Sequence, residues 1–256
     1  MRLTRSGHLV VVAAAILSLW IPAEAAAQKE TETVNRTVPL PSHGTLKLKN
    51  FSGNVHLTPA SGNDVVIKAV RVARREQLDH IKLEIDTTGQ TVSIDANKRD
   101  ADWRDHNDNV VETTFDIQVP AAAAMLDVYG FSSDLDIRGI TGDQRLETFS
   151  GDITVEGAKG AMELKTFSGR IDVNLTGAGS APSLSAETFS GRIQARLAEN
   201  AKGQISFDSF SGEFNSEIPL TIRSVGRRKT SGSLPGGSDG STLRFHTFSG
   251  DVKVTK

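Results

Sequence analysis

The chain has 256 residues, a formal net charge of −2 and no cysteine. Without cysteine it can form no disulfide, present no thiolate nucleophile and hold no cysteine-ligated zinc, so its stability has to come from burial and hydrogen bonding. The near-neutral charge supplies no bulk attraction to nucleic acid or to an anionic membrane.

The first residues carry Arg2 and Arg5, then an apolar stretch from Leu9 to Ile21, then Pro22 and the small-residue series Ala23-Glu24-Ala25-Ala26-Ala27. That order predicts a secretory signal peptide over residues 1–27, cut after Ala25 or Ala27. An apolar stretch of 13 residues is too short for a bilayer-spanning helix, which takes roughly 20, and no cysteine follows it to carry a lipid. The expectation is an exported protein, periplasmic or at the cell surface, with no transmembrane segment once the signal is removed. The remaining 256 − 27 = 229 residues suffice for one large all-β domain or two small ones.

The section 28–125 reads as strands. Val65 to Val72 is an apolar-rich run, and Ile81, Leu83 and Ile85 alternate with polar residues. Thr88-Gly89-Gln90 turns into Val92 and Ile94, and Val111, Thr113, Phe115, Ile117 and Val119 alternate up to Pro120. Between these strands lies a polar segment, Lys98 to Asn109, with four aspartates. It lacks the glycine of a calcium loop, so a solvated hairpin loop is expected ahead of a weak cation site. Trp103 within it is the one candidate binding residue: it either stacks on a sugar or partner chain, or packs down onto its own sheet. The basic groups Arg71, Arg74, Arg75 and Arg227, Arg228, Lys229 read as solvated strand ends.

Phe-Ser-Gly occurs at Phe51/Gly53 and then recurs at Phe149/Gly151, Phe167/Gly169, Phe189/Gly191, Phe210/Gly212 and Phe248/Gly250, with the variant Phe-Ser-Ser at Phe131. From Phe131 onward the intervals are 18, 18, 22, 21 and 38 residues. The last divides in two if Thr230-Ser231-Gly232 is a decayed copy. A fixed period of about 20 residues signals a repeat architecture. Aligned on the phenylalanine, positions five and three before it are apolar, as in Leu46/Leu48 and Met162/Leu164, with Gln144 an exception. Positions four and six after it are apolar too, as in Val55/Leu57 and Ile171/Val173. Both sets have the period two of half-buried strands, but their parity changes across the motif, so a corner must fall at Thr-Phe-Ser-Gly.

Each unit therefore reads as strand, corner, strand, turn. The predicted fold is an all-β solenoid of stacked ~20-residue repeats over 126–256, continuous with the strand-rich section 28–125, which is expected to cap one end. Stacking would pile the phenyl rings into a buried column with a Ser/Thr column beside it (Thr148, Thr166, Thr188, Ser209, Thr247). The glycines would serve the corner by reaching positive φ. The residue after each glycine forms an outward column, in which Asp152 with Arg170 and Arg192 with Glu213 are expected as cross-rung ion pairs.

Little in the sequence resembles a catalytic site. Gly236-Gly237-Ser238-Asp239-Gly240 has the spacing of a nucleophile elbow but sits in a Gly/Ser loop without the flanking strand and helix. His43, His56, His80, His106 and His246 lie singly, without metal-ligand spacing. The repeated serine is better explained by a hydroxyl bonding corner backbone than by nucleophiles lacking a base. The enzymatic alternative is polysaccharide cleavage by carboxylates on the solenoid face, where Asp134, Asp136, Asp152 and Asp172 lie on or near successive rungs. No catalytic residue, cofactor site or metal site is assigned.

The series of signal peptide, strands ending in Phe115-Asp116-Ile117-Gln118-Val119-Pro120, and tandem Thr-Phe-Ser-Gly-Asp-Ile-x-Val units resembles the bacterial putative-adhesin family of β-strand-repeat domains. The likeness spans nearly all of the chain after the signal and is clearest at Leu146–Val155, Leu164–Val173 and Phe245–Val254. It implies an exported, envelope-associated, all-β protein with no established catalytic residues. The expectation drawn from the repeat and the lack of a catalytic site is a non-enzymatic binding or scaffold protein whose partner is an envelope protein or polysaccharide, and the charge balance argues against nucleic acid. Self-association through exposed strand edges is a third reading.

Overall fold

The computed structural model describes residues 28–103, 110–120, 123–176, 182–226, 228–238 and 240–256. The expected signal peptide, the remainder of the polar segment with His106, and Arg227 lie outside the described residues. β1 (Lys29–Pro39), β2 (Thr45–Ala60) and β3 (Asp64–Arg74) lead into a short helix α1 (Arg75–His80). β4 (Ile81–Thr88), β5 (Thr91–Arg99), β6 (Glu112–Pro120) and β7 (Met125–Arg138) follow. The chain is then cut into strand pairs: β8 (Asp143–Ser150) and β9 (Ile153–Glu156), β10 (Met162–Ser168) and β11 (Ile171–Asn174), β12 (Leu184–Ser190) and β13 (Ile193–Arg196), β14 (Gly203–Ser209) and β15 (Phe214–Ser216). A hairpin of β16 (Thr221–Val225) and β17 (Lys229–Ser233) precedes the last pair, β18 (Ser241–Thr247) and β19 (Val252–Thr255).

The fold is all-β, and equivalent repeat positions lie on top of one another. In one parallel ladder Leu46, Leu126, Gln144, Met162, Leu184, Leu243 and Ile205 are successive partners. In the other, Leu57, Ile137, Val155, Val173, Ala195 and Val254 are. The section before residue 126 joins the same stack, because β2 pairs in parallel with β7 over both of its halves. Rung order departs from chain order at the far end. The final rung, β18/β19, is inserted between β12/β13 and β14/β15.

This insertion corrects two expectations. Arg192 and Glu213 are not neighbours, since the rung carrying Asp251 lies between them. Thr230-Ser231-Gly232 is no decayed corner either; it lies within β17, which runs antiparallel to β14 and β16 and covers the end of the stack.

The apolar positions on both sides of the motif face one continuous core. Even the exception Gln144 is buried, its Nε2 donating to the carbonyl of Ile140 at 3.1 Å. On the first ladder the inward set runs −5, −3 and then −1, so the threonine is inside and the phenylalanine, one residue later, is outside. Thr148, Thr188 and Thr247 are at most 1% exposed, whereas Phe149, Phe167 and Phe189 are 43–45% exposed. The rings do pile in register. Centroids of Phe51, Phe131, Phe149, Phe167, Phe189, Phe248 and Phe210 follow each other at 4.6–5.1 Å with planes within 13°. The buried column of phenyl rings is thus corrected to an external one, with the Ser/Thr column inside.

The geometry of the corner explains the exchange. A Cβ placed on Gly151 would stand 2.1 Å from the carbonyl oxygen of Ser133; on Gly169, 2.0 Å from that of Gly151; on Gly191, 1.9 Å from that of Gly169; on Gly250, 1.8 Å from that of Gly191; and on Gly212, 2.1 Å from that of Gly250. No side chain fits at these glycines, and with the threonine held inside, strand alternation turns the next residue, the phenylalanine, outward. Among the repeat glycines only Gly53 has a positive φ, 105°. At Gly151, Gly169, Gly191, Gly212 and Gly250 the expected conformational role is therefore corrected to close approach of backbones, because each α-carbon lies against the rung beneath. Three of these carbonyls also accept a buried hydroxyl, Thr148 Oγ1 donating to Ser133 O at 3.0 Å, Thr166 Oγ1 to Gly151 O at 3.1 Å and Thr247 Oγ1 to Gly250 O at 2.8 Å. It is the threonine, and not the exposed serine after the phenylalanine, that bonds corner backbone.

Above the β2 rung the two layers diverge. β5 extends the first ladder and pairs with β4, while β6 extends the second and continues through β3 to the edge strand β1. A small second core of Ala73, Leu78, Ile81, Trp103 and Val111 closes this end. Trp103 is 5% exposed and stacks on His80 of α1 at 4.6 Å, within this core. Arg71, expected at a solvated strand end, is 2% exposed and donates to Glu32 and to the carbonyl of Ile81. β1 and α1 have no counterpart in the sequence reading. One is a polar edge strand and the other spans six residues, too short for a helical period to show.

Two outcomes are expected in urea unfolding. Gly169→Ala costs at least about 3 kcal/mol, because its new methyl group meets backbone that cannot swing aside, while Gly62→Ala, whose Cβ would meet nothing within 4 Å, is near neutral. Phe167→Ala costs about 1–2 kcal/mol, below the roughly 3–5 kcal/mol of a fully buried phenylalanine. A loss in the buried range would contradict the external column.

Candidate functional site

Three outward features of the repeat remain once the core is assigned. The first follows the corner. Asp134 Oδ1 accepts the backbone N–H of Asp152 at 2.8 Å, Asp152 Oδ1 that of Arg170 at 2.7 Å, and Asp251 Oδ1 that of Glu213 at 3.0 Å. Asp152 also pairs with Arg170 through Oδ2 and Nη2 at 2.8 Å. The strand ladder is interrupted at the corner, so these amides need another acceptor, and the carboxylate of the neighbouring rung supplies it. Two of the four carboxylates considered for sugar chemistry, Asp134 and Asp152, are thereby committed to holding rungs together. Asp136 is engaged by Arg138 at 2.9 Å and lies 3.6 Å from His56.

Asp172 differs. It is half-buried on the outer face of β11, and burial pushes its carboxyl upward from the ordinary value, against the pull of Arg170, Arg192 and Arg196. It belongs to the second feature, a shallow groove of about 230 Å³ on β9, β11 and β13. Thr154, Glu156, Asn174, Gln194 and Arg196 line the groove with it. These side chains come from the outward positions, five and seven after the phenylalanine, and stack in register: Asp172 beside Thr154 and Gln194, Asn174 beside Glu156 and Arg196. The groove offers hydroxyl, amide, carboxylate and guanidinium groups one rung apart, a surface of donors and acceptors with no nucleophile–base pair. Sequence reading singled out Asp172 but missed its neighbours. Their signal was present as polar residues alternating with the inward Ile/Val positions.

The third feature is the phenyl column with the polar column two residues before it. Together they line a second groove of about 380 Å³ that includes Tyr129, Glu147, Lys165, Glu187 and His246. Stacking turns the ring faces toward each other and leaves their edges to solvent. The last ring, Phe210, is covered on its free face by the Arg228 guanidinium, 4.2 Å from the centroid.

The remaining motifs converge on nothing. Gly236-Gly237-Ser238 and Gly240 lie in the loop between β17 and β18, with Asp239 outside the described residues. His43, His56, His80 and His246 are dispersed, and among the described residues no group of three or more His, Asp or Glu side chains could hold a metal ion. Among the same residues no helix is long and apolar enough to cross a membrane.

Similar solved structures come from bacteria. A putative cell adhesion protein from Clostridium sporogenes ATCC 15579 superposes with a TM-score of 0.52 at 11% identity, over 89% of this chain and 99% of that one. A putative adhesin from Bacteroides fragilis NCTC 9343 gives 0.39 at 10% identity, over 87% and 97%. A putative lipid binding protein from Parabacteroides distasonis ATCC 8503 gives 0.30 at 12%, over 88% and 97%. At these identities the first supports the fold alone, and the other two carry no argument. No curated protein matches the chain. The Toastrack DUF4097 family profile matches residues 24–255, nearly the whole length, and the chain belongs to that family, a domain of unknown function.

Proposed function

We propose that this protein is an exported, non-enzymatic binding or scaffold component of the bacterial cell envelope, and that it engages an envelope polysaccharide through the polar face of β9, β11 and β13. The observation that carries this reading is the in-register stack of Thr154, Asp172, Asn174, Gln194 and Arg196 along one groove. A repeating polymer presents hydroxyls at regular intervals, and a ladder of fixed amides and carboxylates at about 4.8 Å spacing can meet several of them at once. The description of the Clostridium sporogenes structure as a putative cell adhesion protein accords with a binding role. Export rests on the charged, apolar and small-residue order of residues 1–27. Cleavage chemistry is disfavoured because Asp134 and Asp152 are used by rung-to-rung hydrogen bonds.

Co-sedimentation with purified cell-wall polysaccharide tests the reading. Asn174→Ala with Gln194→Ala is expected to weaken binding roughly tenfold, the loss of two hydrogen bonds of about 0.7 kcal/mol each. Asp152→Asn with Asp172→Asn is expected to retain binding, since an amide still hydrogen-bonds. Full affinity in the Asn174/Gln194 variant removes the assigned face, and release of soluble sugar that disappears with the two aspartates establishes the enzyme instead.

A further inference from the structure

The exposed phenyl column forms one continuous apolar strip along the stack. Phe131, Phe149, Phe167, Phe189, Phe248 and Phe210 are each 38–53% exposed. At about 200 Å² per phenylalanine this is a continuous strip of about 500 Å² of apolar surface, at the upper end of the largest patch on a typical soluble monomer. Phe51, at the head of the column, is only partly exposed and marks the end of the strip.

The column beside the strip has a charge order of its own. In rung order, starting beside Phe131, its side chains are Tyr129, Glu147, Lys165, Glu187, His246 and Asp208. All point outward from the ladder, one rung apart. A two-fold axis parallel to the strands, lying in the contact plane between the Phe167 and Phe189 rungs, reverses this order. It then sets Lys165 against the Glu187 position of a second copy, Glu147 against its His246 position and Tyr129 against its Asp208 position. Every pair is of opposite charge or donor to acceptor. Shifting the axis by half a rung to either side sets like carboxylates opposite each other. The axis that satisfies the charges also bisects the six exposed rings and leaves Phe51 out. Nothing in the folding of one copy requires these two centres to coincide.

We infer that this face is the interface of a symmetric dimer, in which the phenyl columns of two copies lie against each other with rung order reversed. The inference is independent of the polar groove, which lies on the other ladder. The strip together with the charged column approaches the roughly 800 Å² per partner of a stable interface. Burial of the phenyl edges supplies the attraction, and the charge order selects the register. Two like-charged meetings would arise: Lys49 opposite the Lys229 position, just beyond the six pairs of the same column, and Arg145 opposite the Arg244 position, a column further from the rings. Within each copy Glu163 is shared by Arg145 at 3.0 Å and Lys165 at 2.7 Å, so this group of three keeps one positive charge for the Glu187 position of the second copy.

Sedimentation velocity of the purified chain over micromolar to hundreds-of-micromolar concentration tests this. The expected result is a monomer–dimer equilibrium that Lys165→Glu weakens at least roughly tenfold, because the substitution places two like pairs across the axis. Glu187→Lys alone should weaken it likewise, and the double variant Lys165→Glu/Glu187→Lys should restore it. Thermal unfolding of each variant shows whether the rungs are intact. A chain monomeric throughout, a dimer indifferent to the single substitutions, an unrestored double variant that remains folded, or an open series of larger species from edge-to-edge strand pairing would each overturn the inference.

Discussion

One contact recurs at almost every corner of this fold: the α-carbon of a glycine lies against the carbonyl oxygen of the rung beneath, closer than any side chain allows. At the Gly151 and Gly169 corners the adjacent buried threonine donates to that same carbonyl, so the oxygen is satisfied although the strand ladder is interrupted. The corner is narrow because of this contact. With the threonine held inside it, strand alternation turns the phenylalanine out. From that single restriction come the external aromatic column, the carboxylates that cap the next rung's amide, and the division of the outer surface into one apolar and one polar face.

Rung order adds a constraint that the repeats do not reveal. The last strand pair enters between two rungs formed earlier in the chain. The segment from Gly203 to Ser216 therefore reaches the body of the stack only through β18 and β19, and completion of the core waits on the end of the chain. Contacts of such long sequence separation slow folding, yet the arrangement has a structural return. The hairpin of β16 and β17 covers the terminal rung, and Arg228 covers the last ring, so the parallel stack ends in an antiparallel flap instead of a bare edge.

The two outer faces follow from the same alternation that builds the core. On each ladder every second residue is free of packing duty, and the repeat puts the same type of position at the same height in every rung. A column of side chains along the stack is thus available for recognition without cost to the core. On the second ladder it is polar and mixed in chemistry, suited to hydrogen-bonding a polymer. On the first it is aromatic and ordered in charge, suited to a second copy of itself. Under the proposed readings one column takes an extended ligand and the other a second copy of the chain.

Period, strand content, corner position and the inward apolar sets were legible in the residues, because alternation is a local property and each repeat restates it. Parity also contained the outward direction of the phenylalanine: Thr148 continues the set of Leu146, so Phe149 cannot share its face. Hydrophobicity alone pointed the other way, and the burial of the threonine decided between them. Width, the order of rungs, the burial of Trp103 and Arg71, and the grouping of Asp172 with Asn174 and Gln194 arise from segments distant in sequence lying one strand spacing apart. The linear chain determined which residues repeat and how they alternate. Only the tertiary stack decided which carbonyl stands beneath which glycine, and with it which columns face water.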